Sequence, residues 1–442
     1  MAFESFSVSL PTSDLFQFPP NPSSGFIPPP PAGSTSFAPP IHIPDHVYRA
    51  ALDPKVPITI AAVYAVTAKA LNRYNKSTGK QPWAISKTLA FRWFVIFHNV
   101  FLAVYSAWTW WGMFNTMRRT LVSPFGPHGV AGLLDSVCLI NGPGGIGNAA
   151  FFDEETNLWQ SYSAEGLDEQ GLPSRFAAGR MWNEGLAFYG WLFYLSKFYE
   201  VFDTLIILAK GKLSSTLQTY HHAGAMMCMW AGIRYMSVPI WIFVFFNSFI
   251  HAIMYTYYTV TAFKIRVPMF VKRTLTSMQI TQFLVGASCA MLHSFISFNV
   301  PVLSGSQTDA PASSASAAAN GTASAAVVVD DVNGAYERRV MPCITATGQT
   351  FAIWLNVLYL APLTYLFISF FIESYIRRSN ASQAGRRTAT RRLSNVQMAE
   401  KAGWEAAKHV EREVYGEGNE EAVVSGSGKA NGKSGRVLRS RK

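Results

Sequence analysis

The chain has 442 residues, of which 49% are hydrophobic and only 14% are charged, and its formal net charge is +11. Soluble domains usually carry about a quarter charged residues, so this deficit argues against a soluble protein and favours a membrane protein. The basic residues lie beside apolar segments and in the C-terminal region, so they are better explained by membrane orientation than by a nucleic-acid partner. Four cysteines without a CxxC pair argue against a disulfide-dense scaffold or a zinc site.

The first 55 residues form an arm that is rich in proline, with its longest run at Pro28–Pro31. The arm has neither the basic n-region nor the apolar h-region of a signal peptide. Segments of this composition bury too little apolar surface to fold alone, so residues 1–55 are predicted to be disordered.

Seven stretches are apolar enough to cross a bilayer, which needs about 20 mostly apolar residues per helix. They are residues 56–72, 88–113, 186–209, 216–236, 238–262, 275–298 and 347–372. We therefore predict an all-α polytopic membrane protein, with seven transmembrane helices over residues 56–372 and long loops at 114–185 and 299–346. Residues 373–442 are basic and then rich in Gly and Ser, and they are predicted to be a disordered tail.

Basic residues gather on one side of the predicted spans. They occupy the turns after spans one, three and five and the start of the tail, at Arg73, Lys76, Lys80, Lys87, Lys210, Lys212, Lys264, Arg266, Lys272, Arg273, Arg377 and Arg378. The positive-inside rule makes that side cytosolic, together with the C-terminus, and it makes both long loops lumenal. Those loops hold a glycosylation sequon at Asn320 and two cysteines, Cys138 and Cys343, that either form a disulfide or stay unrelated thiols.

Polar side chains inside the spans are expensive in a bilayer and by default indicate a functional site. On span three, Lys197, Glu200, Asp203 and Thr204 share one helix face, although a Lys197–Glu200 pair that only joins helices is an alternative. The other polar residues of this group lie on spans four, five and six, at Gln218, His221, His222, Asn247, His251, Tyr255, Tyr258, Gln279 and Gln282. Because successive spans run in opposite directions, we expect these groups to converge on one layer toward the cytosolic side.

Four motifs in this order resemble the fatty acid elongase family of membrane 3-ketoacyl-CoA synthases. They are K-x-x-E-x-x-D-T at 197–204, Q-x-x-H-H at 218–222, N-x-x-x-H-x-x-M-Y-x-Y-Y at 247–258 and T-x-x-Q-x-x-Q at 276–282. The amino-acid sequence around the second motif resembles that of the filamentous-fungal branch of the family. The usual second motif of the family is H-x-x-H-H, so Gln218 departs from it. Glutamine carries no labile proton, and we expect it to orient a neighbour by hydrogen bonding.

The resemblance implies the condensing step of fatty acid elongation in the endoplasmic reticulum membrane, where acyl-CoA and malonyl-CoA give 3-ketoacyl-CoA, CO2 and CoA. No cysteine lies at the start of span four, so an imidazole must serve as nucleophile or base. The residues that the resemblance implies as catalytic are His221, His222, His251 and Asp203. We expect His221 to accept the acyl group, with His222 left open as the alternative, and Asp203 to fix a histidine tautomer.

Substrate contacts are expected from the remaining motif residues, Lys197, Glu200, Thr204, Gln218, Asn247, Tyr255, Tyr258, Gln279 and Gln282. Asn247, Tyr255 and Gln279 are expected to donate to a thioester or enolate oxygen, and Lys197 either meets CoA phosphates or pairs with Glu200. Asn99 on span two is the expected supporting residue. The acyl chain needs a closed apolar tunnel, for which the candidates are Met226, Met227, Met229, Phe243, Phe245 and Phe246, although most of these are equally typical of a lipid-facing surface.

The resemblance implies no resident cofactor and no metal. The expected partners are the ketoacyl reductase, dehydratase and enoyl reductase of the elongation cycle. The oligomeric state is left open, with a homodimer as one option.

The main alternative function is that of a membrane di-iron desaturase or hydroxylase, because Q-x-x-H-H also resembles one of the histidine boxes of those enzymes. The resemblance to that class implies about eight clustered histidines, and imidazole is a suitable ligand for iron. This chain has nine histidines in all, and four of them lie outside the spans, at His42, His46, His128 and His409.

Overall fold

The computed structural model describes residues 6–23, 25–34, 37–163, 165–303 and 336–372. Within them, the α-helices are α1 Asp45–Ala51, α2 Lys55–Ser77, α3 Leu89–Thr120, α4 Gly129–Cys138, α5 Ala187–Tyr199, α6 Val201–Ala209, α7 Thr216–Arg234, α8 Ile240–Ala262, α9 Met269–Leu292 and α10 Thr347–Ile372. The strands are β1 Phe6–Val8, β2 Ala150–Asp153, β3 Leu158–Ser161, β4 Ile296–Leu303 and β5 Tyr336–Pro342. The sequon at Asn320 and the tail 373–442 lie outside these residues.

A helix lies at each of the seven predicted spans, with α5 and α6 together forming the third. Among the described residues, four segments are long and apolar enough to cross a membrane by length and composition, namely Leu89–Thr120, Ile240–Ala262, Thr274–Phe295 and Thr347–Ile368. The structure is therefore mostly helical with apolar spans, as predicted. The predicted span six is wrong at its end, because α9 stops at Leu292. Beyond it Phe298, Val300 and Val302 alternate with less buried residues in β4, which is the period of a strand and not of a helix.

The long helices form a bundle with α5 near its centre. Helix α3 packs along α8, α9 lies between α8 and α10, and α10 also packs on α7. Helix α7 contacts α2, while α5 contacts α3, α7 and α8. Helix α3 begins at a cap, because the Thr88 hydroxyl accepts a hydrogen bond from the Phe91 N–H at 3.1 Å. This arrangement turns the polar face of α5 and α6 toward the first turns of α7 and the middle of α8.

One end of the bundle is covered by a cap, which we define as the described parts of residues 6–52, 121–186, 293–303 and 336–346. In it β4 pairs antiparallel with both β1 and β5, and β2 pairs with β3. The cap also contains a disulfide between Cys138 and Cys343, whose Cα atoms are 4.6 Å apart. Of the two alternatives for these cysteines, the structure therefore has the disulfide. The described parts of the N-terminal arm and of both long loops thus lie at the same end of the helices.

The prediction of a disordered N-terminal arm is wrong for its described part. Residues 27–30 are buried, and the Ile27 carbonyl accepts a hydrogen bond from the Trp182 indole at 2.9 Å. Proline has no backbone donor, so a proline run lies against a protein surface without leaving N–H groups unpaired. Further along the arm, the Tyr48 side chain is fully buried and its hydroxyl donates to the Ala187 carbonyl at 3.2 Å. The arm gains from the rest of the cap and from α5 the contacts that its own composition lacks.

Candidate active site

The polar face of α5 is tied to α8 by a buried network around Glu200. The Lys197 ammonium lies 2.7 Å from the Glu200 carboxylate and donates to Asn247 Oδ1 at 3.1 Å. The same carboxylate oxygen lies 3.4 Å from Nδ1 of His251. Lys197 is only 3% exposed. Of the two roles considered for this lysine, the structure shows the pairing with Glu200, and the ammonium is not placed to meet a CoA phosphate at the surface.

Asp203 binds two side chains, and neither of them is one of the motif histidines His221, His222 and His251. Its carboxylate accepts a hydrogen bond from His98 Nε2 at 2.8 Å and another from the Tyr255 hydroxyl at 2.6 Å. Asp203 therefore fixes the tautomer of His98 on α3, where we had expected one of the motif histidines. Tyr255 donates its proton to Asp203 and not to a substrate oxygen.

The supporting residue on α3 is likewise His98, although the sequence favoured Asn99. Adjacent residues of a helix point about 100° apart, so only one of this pair can face α6. Asn99 is buried, and its Oδ1 has no hydrogen-bond partner among the described residues.

Helix α7 presents its motif from a capped first turn. The Ser215 hydroxyl accepts a hydrogen bond from the Gln218 N–H at 3.1 Å, which starts the helix and fixes the direction of the residues that follow. The Gln218 side chain is only 5% exposed, and neither its oxygen nor its nitrogen bonds to a described residue. The His222 ring is buried 5.4 Å from the His221 ring and meets the Tyr64 ring edge-on at 6.1 Å.

His221 contacts a residue that our reading of the sequence missed. Its Nδ1 lies 3.0 Å from the Tyr359 hydroxyl on α10, and that hydroxyl also donates to the His221 backbone carbonyl at 2.8 Å. A signal was present, since Asn356 and Tyr359 stand three residues apart in the middle of span seven and so share one face of the helix. We had placed no functional residue on span seven.

Most of the predicted site residues line one cavity of about 100 Å³. They are Glu200, Asp203, Gln218, His221, His222, Asn247, His251, Tyr255, Tyr258, Gln279 and Gln282. Lys197 borders an adjoining cavity of about 40 Å³. Thr204 faces the other way, toward α2, where its hydroxyl lies 2.8 Å from that of Tyr64. The three motif histidines and the amide side chains of three helices thus face a common space.

Two glutamines on α9, Gln279 and Gln282, also line the cavity. Gln279 donates to the Met254 sulfur at 3.2 Å, and the Gln282 oxygen has no partner among the described residues. Within those residues, no group of three His, Cys, Asp or Glu side chains is arranged to hold a metal ion. The di-iron alternative therefore has no ligand set in this part of the chain.

A larger apolar cavity of about 730 Å³ lies beside the polar one. Its lining includes Phe243, Phe245 and Phe246 of α8, and it shares Asn247 and Gln282 with the polar cavity. Three of the six residues suggested for an acyl tunnel are therefore here. Of the others, Met229 borders the 40 Å³ cavity.

Met226 lies elsewhere. It is fully buried against Ala61, Tyr64 and Ala68, in a cluster that joins α7 to α2. Its contacts are thus with α2, and it is not among the residues that line the apolar cavity of α8.

A family model described as ELO: GNS1/SUR4 family matches residues 50–383. Among curated proteins, the chain is 36% identical over 102 residues to long chain fatty acid elongase 1 of Caenorhabditis elegans, covering 23% of this chain and 35% of that protein. It is 37% identical over 112 residues to very long chain fatty acid elongase 3 of Homo sapiens, covering 25% and 41%. These matches thus span less than half the length of either relative. No solved structure gave a significant match.

Proposed function

The chain belongs to the ELO (GNS1/SUR4) family, and from that premise we propose that it is an acyltransferase that condenses an acyl-CoA with malonyl-CoA to give 3-ketoacyl-CoA, CO2 and CoA. The observation that carries the proposal is the polar cavity, where His221, His222 and His251 face a common space beside an apolar cavity. The relatives that the chain matches are named fatty acid elongases. A thioester held at the junction of the two cavities would have its acyl chain in the apolar one and its carbonyl among the histidines.

In the first half of the proposed reaction, a ring nitrogen of His221 attacks the thioester carbonyl carbon. A C–N bond forms, the C–S bond breaks, and CoA leaves as the thiolate, which takes a proton from water. In the second half, malonyl-CoA loses CO2 and its α-carbon attacks the acyl-imidazole. The C–N bond then breaks and its electron pair returns to the ring nitrogen. One proton is consumed overall, because the malonyl carboxylate leaves as neutral CO2.

The structure supports a role for Asn247 as a hydrogen-bond donor to the oxyanion of either step. An ammonium group is only a donor, so the contact with Lys197 engages Oδ1 of Asn247 and leaves the amide NH2 group for another partner. The side chain lines the polar cavity, where a preorganised donor stabilises developing negative charge. Tyr255, which we had expected in this role, uses its proton on Asp203.

The wider architecture follows from the same proposal. We place all seven helical segments in the endoplasmic reticulum membrane, with the cap in the lumen and the C-terminus in the cytosol. The acyl chain occupies an apolar tunnel that begins at Asn247 and Gln282 and is closed by lipid or by helix movement. The reaction uses acyl-CoA and malonyl-CoA without a resident cofactor. Its product is passed to the reductases and the dehydratase of the elongation cycle.

Purified full-length protein, labelled malonyl-CoA and a panel of acyl-CoAs test the proposal. Condensation should disappear in His221→Ala, whereas His222→Ala and His251→Ala should keep a measurable residual rate. A matched control is His293→Ala. That residue is a buried histidine of the cap, where its Nδ1 bonds to the Cys289 carbonyl at 2.7 Å, so the substitution should leave turnover unchanged. Full activity of His221→Ala would refute the assignment, and an oxygen-dependent product formed without malonyl-CoA would favour the di-iron alternative.

A further inference from the structure

We propose that Tyr359 is a positioning residue that holds His221 in the tautomer with its proton on Nδ1, so that Nε2 carries the attacking lone pair. The inference rests on the proposed function, since it names the nitrogen that performs the acyl transfer. It also adds α10, which carries none of the four sequence motifs, to the active site.

The proton count at Tyr359 decides the tautomer. A tyrosine hydroxyl has one proton, and here that proton is directed at the His221 backbone carbonyl, 2.8 Å away. The hydroxyl oxygen can then meet His221 Nδ1, at 3.0 Å, only as an acceptor. Nδ1 must therefore donate, which requires that it carries the ring proton. Neutral imidazole has a single N–H, so Nε2 is unprotonated and nucleophilic.

The cavities agree with this assignment. His221 lines both the polar cavity and the smaller one beside it, whereas of these two Tyr359 borders only the smaller. The tyrosine thus approaches the imidazole from the side away from the polar cavity. The remaining ring nitrogen is left for a substrate in that cavity.

The surroundings of Tyr359 hold its hydroxyl in place. The ring lies directly over Gly224 of α7, where a Cβ atom would overlap two of the ring carbons. The Tyr220 ring of the same α7 face also packs against it at 5.5 Å between centroids, and the Tyr220 hydroxyl donates to the Tyr359 carbonyl at 3.2 Å. Because residue 224 is a glycine, α10 can approach α7 closely enough for Tyr359 to contact His221, which lies one turn before Gly224 on α7.

The contact also suits the charge that forms during catalysis. When Nε2 forms its bond to the acyl carbon, the ring becomes an acyl-imidazolium and the Nδ1–H group becomes a stronger donor. The Tyr359 oxygen then accepts a charge-assisted hydrogen bond, which is stronger than the neutral one in the resting enzyme. Because the contact strengthens toward the transition state, it accelerates acylation instead of only tightening binding. The proton stays on Nδ1 throughout, and it is still there when the C–N bond breaks.

Release of CoA from acyl-CoA in the absence of malonyl-CoA isolates the acylation half-reaction and provides the test. We expect Tyr359→Phe to slow this release at least tenfold, while the Kd for acyl-CoA stays within twofold of the wild-type value. Tyr194→Phe is the matched control, because it removes another buried hydroxyl that donates to a backbone carbonyl, that of Ala51 at 2.8 Å, far from the histidines. It should leave the acylation rate unchanged. An acylation rate of Tyr359→Phe within twofold of wild type would overturn the inference.

Gly224→Ala supplies a second variant that keeps the hydroxyl but displaces the ring. It should slow acylation as well, and the double variant with Tyr359→Phe should be no slower than the worse single variant, because both act through one contact. Fully additive losses would show that Gly224 acts independently and would contradict the proposed contact. Failure of the proposed function is recognised separately, since His221→Ala would then still release CoA at the wild-type rate.

Discussion

The cap and the polar cavity both bury polar side chains, but they use them in opposite ways. In the cap the Arg180 guanidinium, only 2% exposed, pairs with the Asp135 carboxylate at 2.7 Å. The same guanidinium donates to four backbone carbonyl groups, those of Asp135, Leu139, Pro143 and Gly145. Arg180 therefore joins the last turn of α4 and the loop that follows it to the segment that enters α5, and its hydrogen-bonding capacity is used within the protein.

In the polar cavity, several hydrogen-bond donors and acceptors are unpaired. The Gln218 amide, His222 Nδ1 and the Gln282 oxygen are all buried atoms without a hydrogen-bond partner among the described residues. Buried polar groups are normally paired, because an unpaired one costs about 1–3 kcal/mol. The contrast between these two groups of residues teaches that Arg180 fixes the backbone of the cap, whereas the unpaired groups of the cavity are available to a ligand in the proposed function. Substitutions in the two regions should accordingly separate stability from catalysis.

The largest effect on stability is expected from Arg180→Met. This change leaves the Asp135 carboxylate buried without its cation and several carbonyl groups without a donor, so we expect a loss of about 3–5 kcal/mol. Thermal unfolding in detergent measures the loss, and acylation per folded molecule should stay within twofold of wild type. Arg175→Met is the control. It breaks a more exposed pair with Asp45, with side chains 26% and 43% exposed, and should cost about 1 kcal/mol or less.

The same variant has a pH signature. Burial already raises the pKa of the Asp135 carboxyl, although the Arg180 guanidinium lowers it in opposition. Without Arg180 that pKa rises further above its value in the unfolded chain. A carboxyl with a raised pKa in the folded state destabilises the protein at high pH, and the penalty declines as the pH falls through the folded-state pKa. The stability of Arg180→Met should therefore approach that of wild type on acidification. A deficit that is constant with pH would contradict the burial of an unpaired charge.

A smaller loss of stability is expected from Cys138→Ser. The bond to Cys343 closes a loop with a sequence separation of 205 residues. Removing a native disulfide typically costs about 2–4 kcal/mol, because the unfolded chain gains conformational freedom. Cys289→Ser replaces a free thiol and should leave both the unfolding temperature and the mobility on a non-reducing gel unchanged. A wild-type mobility shift on reduction that persists in Cys138→Ser would show that the two cysteines are not paired.

The sequence predicted the helices well, since each of the seven apolar stretches became a helix. It also predicted which polar residues share a cavity, because period and direction place residues of successive spans at comparable depth. It did not predict the partners within that layer. His98 and Asn99 are equally polar neighbours, and only the rotation of α3 decides which one meets Asp203. Tyr359 was missed because a tyrosine in an apolar span is ordinarily a packing residue, and its contact depends on the space above Gly224.

The N-terminal arm shows a different limit of sequence-based reasoning. Its composition indicated correctly that it has no core of its own, but composition does not report a surface supplied by the rest of the chain. The Ile27 carbonyl and the Tyr48 hydroxyl both bind residues more than one hundred positions away. Such long-range pairing is not visible in local periodicity, and the same holds for the strand that β1 adds to β4.

The smallest effects on stability are expected from replacing Gln218 and Gln349 by methionine. This pair of variants is also the sharpest test of the difference between polar groups that stabilise the fold and those that face the polar cavity. Gln218→Met removes a buried amide that has no partner among the described residues, so the unfolding temperature should stay the same or rise. Condensation should nevertheless fall about tenfold, because the cavity loses a hydrogen-bonding group reserved for substrate or for orienting a histidine. Gln349→Met should behave in the opposite way. Its side-chain oxygen accepts a hydrogen bond from the Thr345 N–H at 3.1 Å at the start of α10, far from the polar cavity.

Gln349→Met should therefore lose about 1 kcal/mol of stability, the usual contribution of one hydrogen bond, with turnover unchanged. Thermal unfolding and condensation rates of the two variants are measured in the same detergent. We expect Gln218→Met to lose activity but not stability, and Gln349→Met to lose stability but not activity. If Gln218→Met instead melts earlier than wild type, its amide has a structural partner in the folded enzyme. The reserve of hydrogen-bonding groups would then shrink to His222 and Gln282, and the departure from the family's usual histidine at position 218 would be a packing substitution without catalytic meaning.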